Sequence, residues 1–493
     1  MKTERENVKT DVVIIGGGGA GLAAAISAAQ NGAKNVTVIE KTGAPGGNAA
    51  ISHGIFAVNS KAQERLGIKL SADDIFRDKM AYSNWNINAR LVRTAIDQSA
   101  KMIEWLEEKG MKFDYIVGFV PAGEGPRVFH KVGPSPMEGA VGEPLVKVLT
   151  EECRKLGVRI TVNTTASRIL RDQKGKLTGV LCNKEGRETA ISTESIVIAT
   201  GGFGGNKDML NKYFPYHADI FCNSLPQMTG DGINMAAEAG AFIESQITIL
   251  IIGPHHYPWS RSLGILVRRP DVLLVNKFGR RYVDESMGFH FMDKASNALS
   301  RQPDKTCYAL IDSRIKQELE RGERPIGGIE DDLGEKGAWR KELEQDFIKE
   351  KKEGYAGVAD SWKEIAEYTG AEARTLDATI EQYNHYCDRG YDPDFLKDRS
   401  YLLPLRQPPF YAIMGRQGFD TTLGGIRIDE KMQVLDKNNC PMPGLYAAGD
   451  NASGYESVNY NHRYPGSALS FALVSGWNAG INAAGYASRV KAK

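Results

Sequence analysis

The chain has 493 residues, beyond the roughly 250–300 that one hydrophobic core usually serves, so two domains are the default. With 42% hydrophobic and 25% charged residues and a formal net charge of +1, it reads as an ordinary globular protein. No long basic or acidic block stands out, so neither nucleic acid nor a membrane surface is an expected partner.

In chain order, residues 11–48 predict a strand, a glycine turn, a small-residue helix, a second strand and a second glycine turn. The apolar run Val12-Val13-Ile14-Ile15 fits a strand buried on both faces, and Gly16, Gly18 and Gly21 carry the GxGxxG spacing into the helix Leu22–Gln30. In that motif the first glycine permits the tight turn, the second admits a pyrophosphate to the backbone, and the third lets helix lie close on strand. The phosphate then sits at a helix N-terminus, where unpaired N–H groups favour an anion. Val36-Thr37-Val38-Ile39 forms the second strand and ends at Glu40, where an acid accepts hydrogen bonds from an adenosine ribose. Strand before, helix after and acid beyond predict dinucleotide binding; the motif alone leaves FAD and NAD open.

Residues 72–110 carry helical periodicity, 117–144 are rich in Gly and Pro, and Pro144–Leu156 reads as another amphipathic helix. Strand patterns follow at Val158–Val162, TTASRIL and LTGVLCN. Ser195–Ala199 is a strand ending in Thr200-Gly201-Gly202-Phe203, and Thr229-Gly230-Asp231-Gly232 opens the helix Ile233–Ala239. From about 246 the composition shifts. A cluster of His, Pro, Trp and Arg at 253–270 leads to strand-like DVLLVN, then GRRYVDES, then a charged helical stretch over 330–390. The β pattern returns at Gly424–Asp429 and in GLYAAGDNASG, and Gly466–Ala484 is small-residue helix again. The expected fold class is α/β: a Rossmann-like dinucleotide-binding domain formed by 1–245 and 418–493, interrupted by an α+β capping domain at 246–417.

The six cysteines (Cys153, Cys182, Cys222, Cys307, Cys387, Cys440) form no CxxC, CxxCH or ferredoxin pattern, which argues against haem c, an iron–sulfur cluster and a zinc knuckle. No metal site is expected, and unpaired thiols suit a reducing compartment. The polar N-terminus leads straight into the first strand, with no pattern of a signal peptide, and the apolar segments are too short or too broken by charge to span a bilayer. The expected location is the cytoplasm.

Taken together, GGGGAGLAAA, IEK, PGGN, ATGGF, TGDG, NKFGRRYVDES, TLGGIRID, GLYAAGD and YPGSAL resemble the flavoprotein family of succinate dehydrogenase and fumarate reductase, which includes the 3-ketosteroid dehydrogenases. The resemblance covers nearly the whole chain and implies FAD, since no second dinucleotide unit remains for a nicotinamide. It places FAD contacts on Gly16, Gly18, Ala20, Gly21, Glu40, Lys41, Gly47, Asn48 and Ala49, and on Ala166, Thr200, Gly201, Gly202, Asp231, Gly449, Asp450, Ser467 and Leu469. Asn48 stands where covalent members carry a flavin-linking histidine, so the resemblance implies non-covalent FAD. His53, five residues on, has three open readings: a flavin tether, a substrate contact, or a packed structural histidine.

The family moves a hydride between flavin N5 and a carbon–carbon bond next to a carbonyl or carboxylate, with a proton exchanged at the neighbouring carbon. Arg463 matches a carboxylate-binding arginine, and the YPG of Tyr464-Pro465-Gly466 resembles a ketosteroid-dehydrogenase motif whose tyrosine polarises the carbonyl. Other family positions differ. A substrate histidine becomes Thr421, the arginine acid becomes Met292, and its acid–arginine relay becomes Ile265 and Arg268. Another substrate histidine has a loose counterpart in Pro254-His255-His256-Tyr257, and a catalytic tyrosine becomes Phe289, beside His290. The resulting expectation is an FAD-dependent oxidoreductase acting on CH–CH bonds of a small enoate or enone, working with a separate electron donor or acceptor. Arg463 and Tyr464 would hold the carbonyl, with the proton carrier among His290, His256, Tyr257 and His53. Two alternatives stay open: a ketosteroid-type dehydrogenase of a bulky neutral substrate, and a non-catalytic flavoprotein that relays electrons.

Overall fold

The computed structural model describes residues 10–118, 125–133, 141–216, 220–256, 260–324, 338–456 and 459–492. Its organising sheet has six strands in the order Gln433–Leu435, Pro441–Ala447, Ile196–Ile198, Val12–Ile15, Val36–Ile39 and Arg159–Thr161. Every pairing in it is parallel except the outermost one, between Gln433–Leu435 and Pro441–Ala447. The helices Gly19–Gln30 and Ser467–Lys491 and the three-stranded sheet Thr164–Arg171, Leu177–Lys184 and Arg187–Ser192 pack against this sheet, which is why its central strands read VVII and IVI with no polar alternation. Strands from positions 12, 36, 159, 196 and 441 thus converge on one sheet, bringing the glycine turns at 16, 46, 201 and 449 within reach of one another.

The helix Gly19–Gln30 packs against the C-terminal helix Ser467–Lys491. Small residues make that approach possible, since a Cβ at Gly476 would stand 2.1 Å from the Ala20 carbonyl oxygen. The periodic stretch 72–110 is two helices, Ala72–Tyr82 and Ala89–Glu108. Between them Asn84 and Trp85 adopt positive φ, and the Asn88 side chain caps the second helix by accepting from the Arg90 and Leu91 N–H groups.

A second sheet is built around the 14-residue strand Phe410–Leu423. That strand pairs with Phe221–Cys222, Thr248–His255, Thr306–Asp312 and Ala356–Ala359, and Leu273–Asn276 adds to the Thr306–Asp312 edge. It runs without interruption through position 417, where a domain boundary is expected. The β reading at Gly424–Asp429 reduces to isolated bridges at Ile426 and Ile428, and the regular strand lies just before it. Gly415, Gly418 and the polar residues between them hide that strand's alternation, and its pairing partners come from four separate parts of the chain.

Buried apolar side chains form two large clusters. One spans Val12 to Ile251 and Phe419 to Ala487, and the other spans Leu263 to Ile413. A small third cluster, Leu250, Ile252, Leu423 and Tyr460, lies between them. The architecture is α/β, a Rossmann-like unit carrying an α+β cap. Among the described residues no helix is long and apolar enough to cross a membrane.

Candidate active site

A cavity of about 780 Å³ runs from the first glycine turn to the underside of the second sheet. Its walls at one end come from Gly16, Gly18, Gly19 and Ala20. Gly16 has φ +105°, and a Cβ at Gly21 would stand 1.9 Å from the Gly16 carbonyl oxygen, so this turn tolerates no side chain at either place. Gly18 precedes the helix Gly19–Gln30 without a side-chain cap, leaving first-turn N–H donors with no side-chain acceptor beside the cavity. Such an end is an anion cradle suited to a pyrophosphate.

Glu40 is held in place next to it. One carboxylate oxygen accepts from the Gly17 N–H at 2.8 Å and the other from the Thr42 N–H and hydroxyl, both at 2.8 Å. With about four lone-pair sites on a carboxylate, acceptor capacity remains for a ribose. Lys41 donates to Thr229 Oγ1 at 2.7 Å and to Asp231 Oδ2 at 2.8 Å, tying the second strand to the helix at 231. Asn48 donates to Ser224 Oγ at 3.1 Å and accepts from the Leu225 N–H at 3.2 Å, so its amide is engaged in shaping the wall. Asp450 accepts from Thr421 Oγ1 at 3.0 Å, and burial raises its pKa to about 6.

Gly47, Asn48, Ala49, Ala166, Thr200, Gly201, Gly449 and Leu469 complete this part of the lining. Of the residues expected to touch FAD, Gly21, Gly202 and Ser467 stand behind the wall. A Cβ at Gly202 would stand 2.4 Å from the Thr422 carbonyl oxygen, and the Ser467 hydroxyl turns to Tyr460 and Glu456.

The far end has a different chemistry. Leu250, Ile252, Ile265, Met292 and Tyr460 supply apolar surface, and Arg268, Asp420, His255 and His462 supply polar groups. Arg268 Nε donates to the Gly264 carbonyl at 3.1 Å, and Nη1 lies 3.4 Å from Met292 Sδ. Burial lowers its pKa while Asp420 opposes that, and burial raises the Asp420 pKa against the Asn223 amide, 2.9 Å away, and the Arg268 charge. Burial pushes His255 down to about 3 and His462 to about 4, so both rings are neutral near pH 7. His462 Nε2 bonds the Ile251 carbonyl at 3.0 Å, which assigns the proton to Nε2 and a lone pair to Nδ1. Among the described lining residues the cations are Lys41 and Arg268, and Lys41 is already paired with Asp231.

Arg463 and Tyr464 are not among the lining residues. Arg463 Nη1 is 3.7 Å from Asp78 on the helix Ala72–Tyr82, and Tyr464 is buried with its ring edge-on to Phe56 at 6.1 Å between centroids. The turn that follows them, Pro465-Gly466, does reach the cavity. His256 lies away from it, with Nδ1 bonded to the Met414 carbonyl at 2.8 Å and Nε2 3.6 Å from Glu350. His53 lines the cavity, its pKa lowered by burial and by the Lys131 charge. His290 ends the short helix Met287–His290 and its side chain lies outside the described set, as does the whole of Tyr257.

Sequence reasoning passed over Asp420, His462 and Tyr460, and gave Arg268 and His255 only as displaced motif positions. Tyr460 and His462 lie in the same NYNHRYPG run as Arg463, and only the turn geometry distinguishes which of them face inward.

The fold and this two-ended cavity define a dinucleotide-dependent oxidoreductase. Residues 11–467 match the FAD binding domain family. The chain is 30% identical over 488 residues to the vinyl phenol reductase of Lactiplantibacillus plantarum, covering 97% of this chain and 96% of that protein. It resembles the open conformation of a flavocytochrome c3 fumarate reductase with a TM-score of 0.74 at 26% identity, covering 98% of this chain and 79% of that one. The same fold occurs in the 3-ketosteroid-Δ4-(5α)-dehydrogenase of Rhodococcus jostii RHA1, with a TM-score of 0.74 at 24% identity and 98% of each chain covered. The chain belongs to the FAD-binding flavoprotein family of succinate dehydrogenase and fumarate reductase. Its cofactor is FAD, and it is an oxidoreductase acting on CH–CH bonds.

Proposed function

We propose that this protein reduces an activated carbon–carbon double bond in a small substrate bearing a single activating oxygen group, such as an enone, a mono-enoate or a vinylphenol. The observation that carries this reading is the charge at the far end of the cavity: among the described residues, one cation, Arg268, offset by one buried acid, Asp420. A dicarboxylate needs two cationic grips, because an unpaired buried charge costs several kcal/mol. One guanidinium serves one carbonyl or carboxylate oxygen.

Bound FAD supplies the hydride. The glycine turn would hold its pyrophosphate, Glu40 its ribose, and the wall from Gly47 to Ala49 and from Gly449 to Asp450 the remainder, with Asn48 offering no nucleophile for a covalent link. Arg268 polarises the substrate oxygen. His462 presents a neutral acceptor that a substrate hydroxyl can meet, while Leu250, Ile252, Ile265 and Met292 exclude water from the reacting bond. Electrons come from a separate donor such as a reduced nicotinamide or flavin, in a cytoplasmic setting that suits six unpaired thiols.

A second reading, dehydrogenation of a bulky neutral ketone, draws on the same apolar wall. Anaerobic titration separates the possibilities. The protein with reduced flavin is mixed in turn with enones, mono-enoates, vinylphenols, fumarate and a saturated ketone control. Return of the oxidised flavin spectrum with the first three and not with fumarate is expected. Faster reoxidation by fumarate than by any of them would overturn the single-group reading, and reoxidation by nothing in the panel would favour an electron-relay protein.

A further inference from the structure

We propose that Tyr460 delivers the proton in this reduction and that Ser467, Glu456 and Lys79 form the line that resupplies it. The proposal rests on the reductase reading above. Tyr460 lines the far end of the cavity among Leu250, Ile252 and Ala468, only 3% exposed, and its ring stands edge-on to His462 at 5.0 Å between centroids. Its hydroxyl oxygen accepts from Ser467 Oγ at 3.1 Å and from the Ala468 N–H at 3.4 Å. Ser467 carries one hydrogen, which serves either the Tyr460 oxygen or Glu456 Oε1. When it serves Tyr460, the phenolic proton is available to a substrate bound against this lining residue.

Behind Tyr460 the polar groups continue inward. Ser467 Oγ is 3.4 Å from Glu456 Oε1, and Glu456 Oε1 accepts from Lys79 Nζ at 2.7 Å. The Lys79–Glu456 pair is almost wholly buried, with side chains 1% and 3% exposed. A buried ion pair is weak evidence for stability, because desolvation offsets most of the attraction. One that ends a chain of hydroxyls beginning in the active site has a chemical use. Burial and the Glu456 charge also raise the Tyr460 pKa. The neutral phenol is the proton-bearing form that a general acid needs.

The hydride brings two electrons to the β-carbon of the double bond, and the Tyr460 O–H bond breaks as a C–H bond forms at the α-carbon. Lys79, the proton-bearing member of the ion pair, passes a proton to the Glu456 carboxylate, which hands it on to Ser467 as the tyrosine oxygen takes the Ser467 proton; Lys79 regains its proton from solvent. The substrate gains H⁻ and H⁺, and the chain returns to its starting state.

The test uses the full-length FAD-loaded protein as wild type, Tyr460→Phe and Ser467→Ala. For Tyr460→Phe, reoxidation of reduced flavin by an enone should slow by about 100-fold or more, the usual contribution of a general acid. Reoxidation by ferricyanide, which protonates no carbon, and FAD affinity by fluorescence should stay at wild-type values. Ser467→Ala should slow the enone reaction less and change its solvent deuterium isotope effect. As a readout without turnover, a nitronate anion, which mimics the developing carbanion, should bind oxidised wild type about 10-fold more tightly than Tyr460→Phe. A Tyr460→Phe protein with wild-type enone kinetics, or with unchanged nitronate affinity, would overturn the assignment of Tyr460 alone. A wild-type protein that no alkene reoxidises would instead overturn the reductase reading on which it rests.

Discussion

Asp450 and Arg268 show how burial converts ordinary side chains into site-specific ones. Asp450 has a folded-state pKa near 6 against the usual 3.8, raised by burial. The FAD-free native state therefore binds more protons than the unfolded chain between those values. Its contribution to stability is present in full below about pH 4 and is lost as pH rises through 6. Thermal unfolding of the FAD-free protein at pH 5 and pH 7 should show this loss, and Asp450→Asn should flatten the Asp450 share of the dependence. Arg268→Met should reduce kcat/KM for an enone by about 100-fold or more, the scale of losing one preorganised donor to a developing oxyanion, while FAD stays bound. Arg268→Lys should recover little, because a point charge on a flexible stem does not reproduce the planar fork anchored at Gly264. Asp450 is legible in the GLYAAGD motif, whereas Arg268 and its partner Asp420 are not. Asp420, which offsets Arg268, sits in a strand whose period the intervening glycines conceal, and Arg268 reaches the cavity from the turn after a short helix, beside Met292.

At the scale of single elements, the turn at 16–21 and the helix Gly19–Gln30 act as one device. A methyl group at Gly21 would overlap the Gly16 carbonyl, so helix and strand would have to separate. Gly21→Ala should therefore lower FAD affinity and thermal stability together, which a flavin-release assay followed by a melting curve measures. The helix at the other end of the chain, Ser467–Lys491, depends on the same closeness through Gly476. The segment 460–468 ahead of it shows why sequence position does not decide direction. Arg463 and Tyr464 turn away from the cavity toward Asp78, Tyr464 within the core, while Tyr460, His462 and Pro465 turn to the cavity, and they alternate within six residues. Backbone φ/ψ in that turn sets which side chain faces which way, and no hydropathy period applies to it.

For the whole molecule, the two large apolar clusters imply that cap stability and cofactor binding can be altered separately. Phe347, 2% exposed in the second cluster and 4.7 Å from the Tyr411 ring between centroids, is far from the glycine turns in the fold. Phe347→Ala should cost about 3–5 kcal/mol of cap stability. FAD affinity measured by fluorescence should remain within twofold of wild type if the Rossmann-like unit keeps its own core. Added FAD should raise the melting temperature of wild type, since a ligand bound only by the native state stabilises it by mass action. The sequence by itself determined the central strands and the dinucleotide turn, and its run of motifs the family and, through it, FAD. A doubly covered parallel strand must be apolar throughout, and a pyrophosphate turn must be glycine at fixed spacing, so both leave marks along the chain. Only the tertiary structure decided the substrate end, where Arg268, Asp420 and the pair Tyr460 and His462 come from three distant segments. Their orientation and desolvation, which set their chemistry, arise from packing between the cap and the strand Phe410–Leu423 that joins it to the Rossmann-like unit.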